Sequence, residues 1–299
     1  MEDKNFSLVV TYNPDRAKLL DLVKTLISSK FNVILIDNAS DDDFFEMFSE
    51  CSNSILCIKL SSNEGLAKAQ NTGITKAIDL GADKIIFFDQ DSKIDDHFLV
   101  NLIFDLKKVG ANSSNFAAIG PRFIDEKKGF YFPALKFNSY GLIDKIVVEN
   151  ISQPIEVSFL ISSGTLVSVK ALKEIGLMRE EFFIDFVDTE WCFRALSKGY
   201  KLYMSEKAVM KHSIGDDTLK IANFNIPVHS GLRRYYRIRN LFFMWKMPYV
   251  PKILVIKLMI INFGIQILLL LTKSKKADYI KYYIKAIRDG LRQSKNYRV

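Results

Sequence analysis

The chain has 299 residues, 48% of them apolar, and a formal net charge of +8. That is enough apolar material for one large α/β core with an appendage, and it excludes a disordered protein. Cys51, Cys57 and Cys192 form an odd set without CxxC spacing, which excludes a disulfide framework and a zinc knuckle and points to a reducing compartment.

The charge is informative once it is located. Twelve Lys and Arg lie between Met244 and Val299, against only Asp278 and Asp289. The body before them is slightly acidic and the tail strongly basic, which suits a soluble catalytic unit with an end that seeks an anionic surface and argues against nucleic acid as partner. The N-terminus lacks the basic start and apolar block of a secretion signal, so a cytoplasmic location is expected.

Four short β-rich apolar runs come first, at 6–12, 33–37, 55–60 and 84–89. Between them Leu19, Leu22, Val23 and Leu26, and later Leu66, Ala69, Ile74 and Ala77, recur at helical spacing. The alternation predicts a parallel sheet flanked by helices, with ligands beyond the carboxyl ends of its strands. Tyr12, Asp37, Asn63 and Asp89 stand at those ends. The second half is mixed: a strand at 116–120, an irregular stretch over 121–141, an apolar run at 155–162, a helix over 188–198 and a strand at 201–204. One domain is expected over 1–247, followed by a helical region over 248–299.

The sharpest local signal is Asp89-Gln90-Asp91-Ser92, two carboxylates where an apolar strand emerges. Such a pair can hold Mg²⁺ or Mn²⁺ that a diphosphate also ligates, although acidic residues at strand ends are often no more than solvated turn residues. Asp37 can accept from a nucleobase N–H or a ribose hydroxyl, or simply cap a helix. Asn63, Gly65 and Lys68 open a helix whose polar start can face a nucleotide, yet ordinary helix-entry chemistry explains them almost as well. In the run from Phe182 to Arg194, Asp185, Asp188 and Glu190 sit among bulky apolar residues including Trp191. Unpaired buried carboxylates are costly, so this segment lines a cleft or pairs with Arg194. One of these acids can deprotonate an acceptor hydroxyl. His212 follows a strand and is either structural or a further metal ligand. Arg233, Arg237 and Asn240 share one helical side, suited to a diphosphate or an anionic lipid.

Together and in this order, these pieces resemble the rhamnosyltransferase branch of the family-2 glycosyltransferases. The resemblance runs from Val9-Val10-Thr11-Tyr12 through Asp37-Asn38, the 63–73 loop, Asp89-Gln90-Asp91-Ser92, Ser162-Ser163-Gly164-Thr165 and the 183–194 run to His212 and the 229–240 segment. It implies a GT-A fold, a Rossmann-like mixed sheet flanked by helices, that inverts configuration at the transferred sugar. It places Thr11, Tyr12 and Asp37 around the nucleobase and Asp89 near the ribose or the metal, with Gln90 and Arg233 also on the donor side. Asp91 would ligate the metal, with His212 as a further ligand. Many relatives carry a Glu-Asp pair at the base position where this chain has Val187-Asp188. That leaves Asp188 as the expected base, with Asp185 and Glu190 in contention and, with Trp191, on the acceptor side. The implied donor is dTDP-β-L-rhamnose and the implied acceptor a glycan, free or linked to a polyprenyl diphosphate, in cell-surface polysaccharide synthesis. A UDP-sugar donor, a non-catalytic membrane adaptor on the same fold and a homo-oligomer stay open; a pyrophosphorylase is disfavoured because no Gly-rich, basic loop follows the first strand.

Residues 253–271 are almost wholly apolar, interrupted by Lys257, Asn262, Gly264 and Gln266. The length approaches a membrane span, and the interruptions do not trace one polar helical face. Residues 277–291 place Ile280, Tyr283, Ile284, Ile287 and Leu291 on one stripe, with Lys281, Lys285, Arg288 and Arg292 largely elsewhere, the pattern of a helix resting on an anionic bilayer or docking to a partner. Association with the inner face of the cell membrane is the expectation, with burial against the body as the alternative.

Overall fold

The computed structural model describes residues 4–51, 54–110, 115–126, 128–138, 142–212, 218–221, 224–227, 229–274 and 276–295, with backbone alone at Cys51, His212, 218–221 and 224–227. The first half is β1 (Asn5–Thr11), α1 (Arg16–Ser28), β2 (Asn32–Asp37), a 3₁₀ segment (Phe45–Cys51), β3 (Ile55–Lys59), α2 (Leu66–Asp79), β4 (Lys84–Asp89) and α3 (Phe98–Gly110). The second half follows with β5 (Phe116–Asp125), β6 (Ala134–Phe137), β7 (Ile143–Ile146), β8 (Ile155–Val157), β9 (Leu166–Ser168), α4 (Val169–Ile175) and a 3₁₀ turn (Glu180–Phe182). Then come α5 (Val187–Ser197), β10 (Lys201–His212), β11 (Thr218–Ile221) and β12 (Phe224–Pro227). Three helices end the chain: α6 (Gly231–Lys246), α7 (Lys252–Thr272) and α8 (Lys276–Lys295).

One eight-stranded sheet, ordered β3-β2-β1-β4-β9-β5-β10-β8, organises the body. Its first four strands pair in parallel and β9 enters antiparallel between β4 and β5. Because side chains alternate across a strand, Phe6, Leu8, Ile34, Ile36, Ile85 and Phe87 feed one core, while Val9, Val33, Leu35, Ile86 and Phe88 feed the other. Helices α2, α4 and α5 cover the first face; α1 and α3 cover the second. Strands near-continuously apolar are what a sheet buried on both faces requires. The chain moves outward one way through β2 and β3 and then to the other side of β1 with β4, so the crevice between β1 and β4 is the switch point where ligands bind in open α/β sheets.

The irregular stretch expected from residue 121 begins later, because β5 continues through Pro121 to Asp125. Pro has no N–H to give a ladder. Here β9 stops pairing at Ile119, and the β10 register shifts between Met204 and Val209, opposite Pro121. Buried Asp105 of α3 holds that bulge, accepting from the Ser205 hydroxyl at 2.6 Å and from the Glu206 and Lys207 N–H groups at 2.8 Å each.

No linker separates the C-terminal helices from the body. Met247, Val250 and Val255 belong to the main core, across the boundary expected after residue 247. The interruptions in α7 are also better organised than their spacing suggested. Asn262 and Gln266 turn inward, where Arg234 donates to Gln266 Oε1 at 3.1 Å and to the Asn262 carbonyl at 3.0 Å. Gln266 in turn donates to the Tyr279 carbonyl of α8 at 2.9 Å. The outward face of α7 is mainly apolar, with Ile253, Ile256, Ile260, Phe263, Ile267 and Leu271 exposed beside Lys257 and Gly264. By length and composition this helix can cross a membrane, with a mean hydropathy of 2.4. The α8 stripe splits: Tyr283 and Ile287 pack towards α6, while Ile280, Ile284 and Leu291 stay exposed.

Candidate active site

The crevice is built from the ends of β1, β2 and β4. Tyr12 is exposed on its rim, and its N–H donates to Gln90 Oε1 at 2.7 Å, tying the end of β1 to the loop after β4. Asp37 is buried beneath, accepting from the Thr11 hydroxyl at 3.2 Å and from the Ser40 hydroxyl and N–H, with Lys59 4.0 Å away. Asn63 accepts from Asn38 and from the Gly65 N–H, bracing the entry to α2. Lys68 lies between Glu64 and Glu180, at 3.9 and 3.8 Å.

Asp89 ends β4 and Asp91 follows it, and Ser92 is fastened to Ser163 by a 2.8 Å hydroxyl contact. The 162–165 segment is therefore the second wall, and its Ser162 N–H donates to Asp188 at 3.3 Å. Asp188 does not cap α5: that position belongs to Phe186, and Asp188 stands in the first turn with its carboxylate on Ser162 and Thr189. Asp185 sits between Arg233 and Arg237, 3.4 Å from each.

The turn carrying Asp185 is unusual backbone. Phe183, Asp185 and Phe186 all have φ of 64°, a region that non-glycine residues rarely enter and that costs about 1–3 kcal/mol per residue. At Phe183 ψ is −67° and the Ile184 N–H reaches the Phe182 carbonyl at 2.7 Å, which makes a γ-turn of the strained hand. Helix α6 supports it. Asn240 donates to the carbonyls of Phe182, Ile184 and Asp185 at 2.9 Å each, and the Tyr236 ring stacks on Phe183 with centroids 4.3 Å apart. On the other side, a Cβ at Gly65 would fall 2.5 Å from the Phe183 ring, so the close approach that Gly65 permits is to this turn. Asn240 thus faces protein carbonyls instead of the diphosphate or lipid expected for it. Tyr236 and Arg239, which also bonds this turn, were not singled out from the sequence, where Asn240 shares its helical side with Arg233 and Arg237.

Electrostatics bind the parts together. Asp89 opens to solvent at the cleft mouth yet is ringed by protein; its carboxyl is pushed up to about 6, by burial first and then by the like charges of Asp91 and Asp188, with Arg233 pulling it back. Burial also raises Asp188, against hydrogen bonds from Thr189 and Ser162 that lower it. A carboxylate with a raised pKa is a stronger base near neutrality. Among the described residues no three His, Cys, Asp or Glu side chains close into a ready cation cage. The fit to Mg²⁺ or Mn²⁺ is of another kind: repelling carboxylates at a cleft mouth, where a cation quenches the repulsion and a diphosphate completes the oxygen shell. His212 pairs with Asp125 through its backbone; its side chain, with residues 213–216, lies outside the described residues.

Glu190 and Trp191 were expected to meet an acceptor; the structure turns Glu190 into the core, while Trp191 is buried beside the cavity that Asp188 also lines. Glu190 is fully buried, bonded to Arg194 at 2.9 Å and to the Tyr249 hydroxyl at 2.6 Å, with Arg179 3.4 Å away. The Trp191 indole donates to the Gly176 carbonyl at 2.9 Å. Helical spacing decides this for Glu190, which shares its side of α5 with Arg194, whereas Trp191 lies one turn on from Asp188 and lines a small cavity with it.

A mixed sheet with carboxylates at its switch point and a second wall of loop and helix defines a GT-A glycosyltransferase. The chain belongs to glycosyltransferase family 2: the Glycosyl transferase family 2 model matches residues 8–176. It is 38% identical over 292 residues to the dTDP-rhamnosyl transferase RfbF of Shigella flexneri, covering 98% of this chain and 97% of that one. The resemblance to the rhamnosyltransferase branch is thereby borne out, and the protein is a glycosyltransferase. Among solved structures, S. aureus TarS 1–349 in complex with UDP aligns with a TM-score of 0.58 at 16% identity, covering 96% of this chain and 80% of that one. GalNAc-T7 with UDP, GalNAc and Mn²⁺ aligns with a TM-score of 0.58 at 14% identity over 87% of this chain, which spans 54% of that structure. At such identities these likenesses show the fold.

Proposed function

We propose that the protein transfers L-rhamnose from dTDP-β-L-rhamnose to a hydroxyl of a glycan, free or linked to a polyprenyl diphosphate, in cell-surface polysaccharide synthesis. The observation that carries the reading is the 162–165 segment, which joins Ser92, next to Asp91, to Asp188 across one crevice, where both Asp91 and Asp188 raise the Asp89 carboxyl. The choice of donor is supported by the dTDP-rhamnosyl transferase that shares 38% of its residues along almost the whole chain.

In the reaction Asp188 takes the proton of the acceptor hydroxyl as its oxygen attacks C1 of the sugar. The bond from C1 to the dTDP oxygen breaks, its electron pair stays on the β-phosphate, and inversion yields an α-L-rhamnoside. Asp91, with Asp89, would hold Mg²⁺ or Mn²⁺, which supplies neutralising charge to the departing diphosphate. Arg233, whose charge already reaches Asp89, faces the same diphosphate. Thr11, Tyr12 and Asp37 border the nucleobase.

The outward apolar stripe of α7, the exposed Ile280, Ile284 and Leu291, and the exposed Lys281, Lys285, Arg288 and Arg292 support seating on an anionic membrane at the inner face of the cell membrane. Such seating would bring a lipid-linked acceptor to the cleft.

Calorimetry of purified protein with a panel of nucleotide sugars, with and without Mn²⁺, tests the reading. dTDP-rhamnose should bind best and more tightly with metal. Tighter binding of a UDP sugar selects a UDP donor, to which an Asp accepting from N3–H is indifferent, and binding of no nucleotide sugar refutes the proposal. Asp188→Asn should lower kcat by about 10²–10⁴ with dTDP binding kept; full turnover would remove Asp188 from the role.

A further inference from the structure

The backbone oxygens of Phe182, Ile184 and Asp185 converge on one side-chain nitrogen, Nδ2 of Asn240. Neither a helix nor a strand aims these carbonyls at a single point; positive φ at residues 183, 185 and 186 does. Asn240 is wholly buried, and its other end is occupied: Arg239 donates to Oδ1 through Nε at 3.2 Å and through an Nη at 2.9 Å. The amide is therefore oriented with its N–H groups towards the turn. The same Arg239 also donates to the Glu181 and Phe182 carbonyls. The turn delivers Asp185 to Arg233 and Arg237 at one end, and at the other its Phe186 carbonyl takes the Glu190 N–H at 2.8 Å to begin α5, two residues before Asp188.

We infer that Asn240 is a positioning residue for the transfer. Held by Arg239, its amide fixes the left-handed turn that sets Asp185 against α6 and aims Asp188 into the cleft. Its role rests on Asp188 being the base of the proposed reaction. Asp at 240 has the same shape but turns an acceptor on three acceptors, so the turn loses its anchor without loss of packing volume.

The test measures hydrolysis of dTDP-rhamnose, with water as acceptor and Mn²⁺ present, per dTDP-binding site counted by calorimetry. In Asn240→Asp, kcat per site should fall about 10²-fold, as misplacement of a catalytic group by about 1 Å does, while dTDP affinity stays within about threefold. Arg239→Lys, a milder change that keeps the charge and loses the fork, should show the same split at about tenfold, and it decides the matter if Asn240→Asp does not fold. Adding Phe186→Gly should restore part of the lost kcat, since glycine takes positive φ freely. Wild-type kcat per site, or equal losses of kcat and dTDP affinity, would overturn the positioning role. Should the wild-type protein bind dTDP-rhamnose without hydrolysing it, water does not serve as acceptor, and should it not bind the donor, the donor reading fails; in either case hydrogen exchange decides the clamp. Amides over 183–190 should then exchange at least about tenfold faster in Asn240→Asp while β1 and β4 keep their protection; unchanged exchange overturns it.

Discussion

Asp188, in the first turn of α5, acts on Asp89, at the end of β4: after burial and the charge of Asp91, it is the third cause of an Asp89 carboxyl that titrates near 6. The two residues belong to different halves of the chain, and the 162–165 segment brings them together by bonding to Asp188 on one side and to Ser92 on the other.

That coupling sets a pH dependence. The folded-state value of Asp89 is raised from 3.8 to about 6, so between those values the native protein holds this proton more tightly than the unfolded chain does. The resulting stabilisation is present at low pH and is lost as pH rises through 6. Asp89→Asn should flatten this part of the Tm profile between pH 4 and 7. Mn²⁺ must displace the same proton, so its affinity by calorimetry should fall about tenfold per pH unit below 6 and level off above.

Glu190 is expected to act on stability and not on turnover. Glu190→Ala leaves the Arg194 guanidinium buried without its carboxylate and removes the acceptor for Tyr249, a loss of about 3–5 kcal/mol in urea unfolding. kcat per folded molecule should change little; a selective rise in acceptor KM would return Glu190 to the acceptor side.

Gly65→Ala combines an L residue at φ 85° with a Cβ 2.8 Å from the Phe183 carbonyl oxygen. The backbone there cannot simply yield, so a loss of about 2–3 kcal/mol is expected in the same measurement. Because the clash falls on the turn before Asp185, kcat should drop as well.

The outward stripe of α7 makes a separable prediction. Replacing Ile260, Phe263 and Ile267 by Ser touches exposed positions only, so Tm should stay nearly unchanged. Flotation with anionic liposomes should fall about tenfold or more, given the apolar area withdrawn from the bilayer. Undiminished flotation would place the membrane contact elsewhere or nowhere.

The sequence by itself determined the alternating first half, because strands buried on both faces must be apolar throughout and must end where the chain turns polar; Asp37, Asp89 and Asp91 were legible for that reason. It also determined the basic, apolar tail. Only the tertiary structure decided which acids of the 182–194 run face the cleft, since helical phase relative to the sheet sends Glu190 into the core and Asp188 towards the 162–165 segment. It alone decided that Asn262 and Gln266 serve Arg234, and that Asn240 serves the turn at 183–186. These are pairings between distant segments, set by how helices pack, and no local spacing in the chain encodes them.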